Sequence, residues 1–88
     1  MAYVVFNDPG HGWVRVKRAE VVELGIADKV SSYSYQKGDW VYLEEDCDFS
    51  LWLAAKKAKG HPILLKEKHS NRHSSIRNYD CYRPQQGA

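Results

Sequence analysis

The sequence has no run of about twenty apolar residues, the length a helix needs to cross a bilayer, so it offers no membrane span. Its start, Met1-Ala2-Tyr3-Val4-Val5-Phe6, lacks the basic cluster and long apolar stretch of a secretory leader, and a cytoplasmic location is expected. Cys47 and Cys81 are the only cysteines. Two are too few for a disulfide framework, and free thiols are expected. Several motifs are also missing: a Cys-x2-Cys pair, the spacing of an EF-hand, and a phosphate loop followed by Lys-Ser/Thr. No internal repeat, low-complexity stretch or interdomain linker stands out. Acidic residues become scarce past the middle of the chain. Residues 1–48 hold five Lys/Arg against nine Asp/Glu, whereas residues 49–88 hold eight against two.

What the 88 residues do contain fits one small domain. Aromatic residues are plentiful, with three Trp, six Tyr and two Phe, suiting either a small core or a contact surface. Tyr3 to Phe6 and Trp13-Val14-Arg15-Val16-Lys17 read as a pair of strands. The loop Asn7-Asp8-Pro9-Gly10-His11-Gly12 joins them, its glycines permitting positive φ. Arg18 to Leu24 reads as a short helix closed by Gly25 at C′ and Ile26 behind it. A second hairpin is expected, with strands Val30–Tyr35 and Trp40–Leu43 about the turn Lys37-Gly38-Asp39. In that hairpin Tyr33 and Tyr35 would share a face, as would Trp40 and Tyr42, with one pair in the core and the other exposed. Asp48 is the candidate N-cap of a helix from Phe49 to Lys59. Its buried stripe would be Phe49, Trp52 and Leu53, with Lys56, Lys57 and Lys59 complementing the dipole. Gly60 and Pro62 end that helix, Ile63 to Lys68 is a further strand, and Ser75 to Tyr79 one short extended piece. The order β-β-α-β-β-α-β predicts an α+β fold, a small antiparallel sheet of about five strands with two short helices on one face. The domain is expected to occupy residues 1–80, with a flexible tail over 81–88.

Five groupings bear on chemistry. Two glycines around His11 would let backbone N–H groups approach a ligand, or would simply serve a tight loop. The run Glu44-Glu45-Asp46-Cys47-Asp48 has the carboxylates a Mg²⁺ or Ca²⁺ site uses, yet helix capping explains it as well, and no second acidic cluster is evident to close a cage. His69 and His73 have the spacing of a zinc half-site that His61, Cys47 and Cys81 would complete, but they fall in a loop. No metal or cofactor is therefore assigned. The fourth grouping is a basic arm of Lys66, Lys68, His69, Arg72, His73, Arg77, Tyr79, Tyr82 and Arg83, in which cations alternate with rings as phosphate contact and base stacking require. The fifth is the tyrosine-rich hairpin, an aromatic platform if it faces outward.

The strings Asp8-Pro9-Gly10-His11-Gly12-Trp13, Leu24-Gly25-Ile26, Ser32-Tyr33-Ser34-Tyr35, Tyr42-Leu43-Glu44-Glu45-Asp46-Cys47-Asp48 and Ser74-Ser75-Ile76-Arg77-Asn78-Tyr79 together resemble a family of short, uncharacterised proteins of phages and mobile elements. The resemblance runs over about residues 3–80. It implies a bacterial host cell but brings no general activity with it. Small phage proteins of this size are often accessory factors that block host systems, CRISPR among them, which is an association rather than a physical argument.

The expectation is a non-enzymatic binding protein of phage origin that contacts a host protein or nucleoprotein complex, with counter-defence such as CRISPR inhibition as one outcome. Its candidate contact residues are His11, Tyr33, Tyr35, Lys66, Lys68, His69, Arg72, His73, Arg77 and Tyr79. The first alternative is a nucleic-acid or nucleotide binder using the basic arm. The second is a small His-dependent, nuclease-like enzyme. No membrane partner is expected, and an exposed hairpin edge offers a route to a homodimer.

Overall fold

Side chains alternate across a strand. Odd-numbered residues of the first strand and even-numbered residues of the second therefore point the same way. Tyr3 and Val5 meet Val14 and Val16 there, joined by Val41 and Leu43, and all six are buried. The computed structural model describes residues 2–84. Its elements are β1 (Ala2–Asn7), β2 (Gly12–Lys17), α1 (Arg18–Glu23), β3 (Tyr35–Lys37), β4 (Trp40–Glu44), α2 (Phe49–Ala58), β5 (Leu64–His69), a 3-10 turn (Ser75–Asn78) and β6 (Asp80–Cys81). The fold is α+β, as predicted from the sequence. No helix among the described residues is long and apolar enough to cross a membrane.

The sheet has six strands in the order β5-β1-β2-β4-β3-β6. It is mixed rather than wholly antiparallel, because β5 runs parallel to β1. Parallel pairing needs a crossover long enough to hold a helix, and α2 supplies it between β4 and the far edge. The core packs Val21 of α1 and Trp52 of α2 onto the six strand residues above, with Ile26, Val30 and Tyr82. Both α-helices lie on this face, and among the described residues the opposite face carries no α-helix.

Local chemistry explains the helix ends. Ile26 N–H donates to Val21 O and Gly25 N–H to Val22 O, the paired bonds of a Schellman motif, with Gly25 at φ 73°. Gly38 (φ 57°) and Gly60 (φ 71°) likewise turn the chain where the sequence places its turns. Gly10 and Gly12 do not. Neither has positive φ, and what they supply is room. A Cβ on Gly12 would lie 2.4 Å from Asn7 Oδ1 and 2.8 Å from Glu45 Oε2, and one on Gly10 3.0 Å from the Arg77 guanidinium.

Several further expectations are corrected. The strand expected over 30–35 is a series of turns, and only Tyr35–Lys37 pairs in the sheet. Ser31 and Ser34 bend the chain inward instead, their hydroxyls donating to Asp48 Oδ2 at 2.7 and 2.5 Å. Asp48 is thereby spent, and its side chain does not cap α2. Lys56 is no exposed dipole partner: it is 1 % exposed and paired with Glu20 at 2.8 Å, because position 56 continues the stripe of 49, 52 and 53. Finally, Ser75–Asn78 is a 3-10 turn, its Ser74 hydroxyl accepting from Ile76 N–H. Residues 80–82, straddling the expected boundary between domain and tail, belong to the fold. Asp80 and Cys81 pair with β3, and Tyr82 is buried against the helix-side core with its hydroxyl donating to Ala27 O. Arg83 is held as well, its N–H donating to Gln36 Oε1 and its carbonyl accepting from Arg18; residues 85–88 of the expected tail lie outside the described residues.

Candidate functional site

Strands β5 and β6 sit at opposite edges of the sheet, so the segment joining them, residues 70–79, must cross from one edge to the other. It crosses the helix-free face. Ile76 is buried on Trp13 and Tyr42, with Phe6, Tyr35, Trp40 and Tyr79 around them. The strap is pinned at one end of the sheet by Asp8 in the β1–β2 loop. Asp8 Oδ2 accepts from Arg77 Nε at 2.6 Å and Ser74 N at 2.9 Å, while Oδ1 accepts from Arg77 Nη2 at 2.9 Å. Oδ1 also accepts from Gly10 N and His11 N, folding the loop on itself. The Arg77 guanidinium and these N–H groups hold the Asp8 carboxyl far below the usual carboxylate range, outweighing its burial.

At this end of the sheet the β1–β2 loop meets the turn after β4. Glu45 N donates to Gly12 O at 2.9 Å, an approach that only glycine at 12 permits. His11 thus comes to lie against the acidic run, which the sequence separates from it by more than thirty positions. His11 Nδ1 is 3.3 Å from Glu44 Oε1. The other oxygen of Glu44 accepts from Asp46 N at 2.8 Å and Cys47 N at 3.0 Å. A cleft of about 240 Å³ opens here, lined by His11, Trp13, Tyr33, Tyr35, Glu44, Asp46, Cys47 and Arg77. Desolvation, then the carboxylates of Glu44, Asp48 and Asp46, push the Cys47 thiol upward, which makes it a poor nucleophile.

The rest of the helix-free face is built in rows across the strands. One row reads Lys66, Val4, Arg15, Tyr42, Tyr35 and Cys81, a second Lys68, Phe6, Trp13 and Glu44, and a third Lys17, Trp40 and Lys37. Cations lie over rings throughout. Arg15 and Lys17 are each 4.4 Å from the Trp40 centroid, Lys37 4.7 Å from Tyr79, and Lys68 6.0 Å from Phe6. Among the described residues, Arg15, Lys17, Lys37, Lys66 and Lys68 form no ion pair.

The ten candidate residues therefore divide. His11, Tyr33, Tyr35 and Arg77 converge on the cleft, although Tyr33, 71 % exposed, is off the sheet and shares no strand face with Tyr35. Lys66 and Lys68 stand on the helix-free face, and Tyr79 packs there on Tyr42 with ring centroids 5.2 Å apart. His69 falls on the alternate side of β5, and Arg72 and His73 are exposed in the strap. Arg77 is not a free cation. The zinc half-site does not assemble, since among the described residues His69 and His73 join no group of three metal-binding side chains. Trp40 and Tyr42 do share a face, but it is the helix-free one, Tyr42 buried under the strap and Trp40 half-buried. Arg15, Lys17, Lys37 and Phe6 escaped the sequence reading. Their signal was the alternation Trp13-Arg15-Lys17, whose polar members share a face with a tryptophan. No protein-family model, curated protein or solved structure matches the chain.

Proposed function

We propose that this protein is a non-enzymatic binding module that holds single-stranded nucleic acid against the helix-free face of its sheet. The observation that carries the reading is the stacking of unpaired cations over aromatic rings on that face, with Lys66 and Lys68 of the exposed β5 at its border. Phosphates attract the cations, and ring faces take bases without regard to their identity. As Arg15, Lys17 and Lys37 swing toward phosphates, they uncover Trp40 and Tyr79 for stacking. On the resemblance to short phage and mobile-element proteins, this activity would take place in a bacterial cell. A nucleoprotein complex of the host, including a CRISPR effector, would offer the same chemistry to the same face, and a counter-defence role is one use of it.

The test is binding of a labelled single-stranded oligonucleotide by fluorescence anisotropy over a range of salt. Affinity should fall steeply as salt rises, by about 0.7 in the logarithmic slope for each phosphate neutralised. Lys66→Ala with Lys68→Ala should flatten that slope by roughly one to two while leaving the melting temperature unchanged. Failure to bind at low salt, or an affinity that ignores salt, would sink the reading and favour an uncharged protein surface as partner.

A further inference from the structure

We propose that His11, Glu44 and Asp46 form a binding site for one divalent transition-metal ion of the zinc class. One donor atom from each residue lies within 4.8 Å of the other two. The closest pair, His11 Nδ1 and Glu44 Oε1, is 3.3 Å apart. That exceeds a good N–H···O hydrogen bond. It matches the separation of about 3.3 Å between neighbouring donors of a tetrahedral ion with bonds of about 2.0–2.1 Å. Asp46 is exposed, with its donor atom within 4.8 Å of the other two, and ligation would require its side chain to turn inward.

The supporting shell is in place. A ligating carboxylate is normally steered by hydrogen bonds to its outer oxygen. The backbone N–H groups of Asp46 and Cys47 hold Glu44 Oε2 in this way and leave Oε1 turned toward His11. Glu44 is buried, its side chain 8 % exposed, so its orientation is fixed, while His11 at 45 % keeps the site open to entry. Asp8 clamps the loop that carries His11 and also neutralises Arg77, the one Lys or Arg in the cleft wall among the described residues. A second, separate observation concerns Trp13, which lines the same cleft and is 1 % exposed. Its Nε1 is buried with no acceptor among the described residues. A donor left in this condition lacks an acceptor that the described side chains supply. One imidazole with two carboxylates suits zinc and its neighbours, whereas magnesium and calcium take oxygen ligands alone. Glu44 ends the row that Lys68 begins, with Phe6 and Trp13 between them, and metal uptake does not require nucleic-acid binding.

Protein stripped with a chelator and titrated with Zn²⁺ in a calorimeter should take up about one equivalent with micromolar or tighter affinity. Co²⁺ should give the visible absorption of a four-coordinate ion and quench tryptophan fluorescence, since the His11 ring is 6.1 Å from Trp13. His11→Ala and Asp46→Asn, both at exposed positions, should each weaken binding about tenfold or more at unchanged melting temperature. His69→Ala with His73→Ala should leave it intact. No uptake of Zn²⁺ at millimolar metal, or equal binding by wild type and His11→Ala, overturns the proposal.

Discussion

Asp8 shows how much one residue can organise. Its carboxylate gathers the β1–β2 loop, the strap and the Arg77 guanidinium at one point, from positions 66 and 69 residues away in sequence. Because its folded pKa is depressed, its contribution to stability is complete above about pH 4, the unfolded value. It is lost as pH falls from there toward the much lower folded value. Melting temperature measured from pH 6 to pH 2 should therefore drop more steeply below pH 4 in the wild type than in Asp8→Asn, which should start lower and stay flatter. None of this was legible beforehand. The sequence marked Asp8 as a turn residue and Arg77 as a free cation, since nothing local ties one to the other. Gly10 and Gly12 were legible as important but for the wrong reason: their space, not their φ, brings Arg77 and Glu45 against the loop.

Among the elements, strands and helices with clean periodicity were readable. The alternation in β2 and the stripe in α2 gave their positions within about a residue, and Gly25 marked the end of α1. The segment 30–34 was misread because alternating Ser and Tyr imitate a strand, whereas Ser31 and Ser34 are drawn to a buried Asp48 from a later element. Periodicity also carried a truth that charge obscured in α2, where Lys56 occupies the buried stripe. Burial alone would raise the Glu20 carboxyl, but Lys56, Tyr3 and Trp52 bring it below its ordinary value. Glu20 and Tyr3 hold the Lys56 ammonium above its own against burial. The pair thus fastens α2 to α1 with Tyr3 beneath. Lys56→Met should cost about 3 kcal/mol by leaving Glu20 without its cation, and adding Glu20→Gln should restore more than half of that. Chemical denaturation of the two variants, read as a cycle, measures the difference.

At the scale of the whole molecule the fold class followed from element order, but the sheet's mixed pairing did not. Strand direction depends on which edge β5 takes, and no local pattern encodes that. The charge asymmetry between the chain's halves was real but partly spent inside, in the Asp8–Arg77 and Glu20–Lys56 pairs. The cleft at His11 was invisible for the same reason as the clamp at Asp8: its parts meet only after the sheet has formed. The two faces of that sheet are sealed differently, one by two helices and the other by a strap resting on Ile76. Ile76→Ala should lower stability by about 2–4 kcal/mol and should raise amide exchange across residues 74–82 before it disturbs the valines under the helices.

Both rims of the sheet are supplied by the final third of the chain, β5 on one side and β6 on the other. In any fragment that stops between residues 45 and 63, β1 and β3 would be left as raw borders with their peptide groups unclaimed, open to any neighbouring polypeptide. A fragment truncated in that stretch should therefore be sticky rather than a smaller working domain, which size-exclusion chromatography of residues 1–63 would show as self-association.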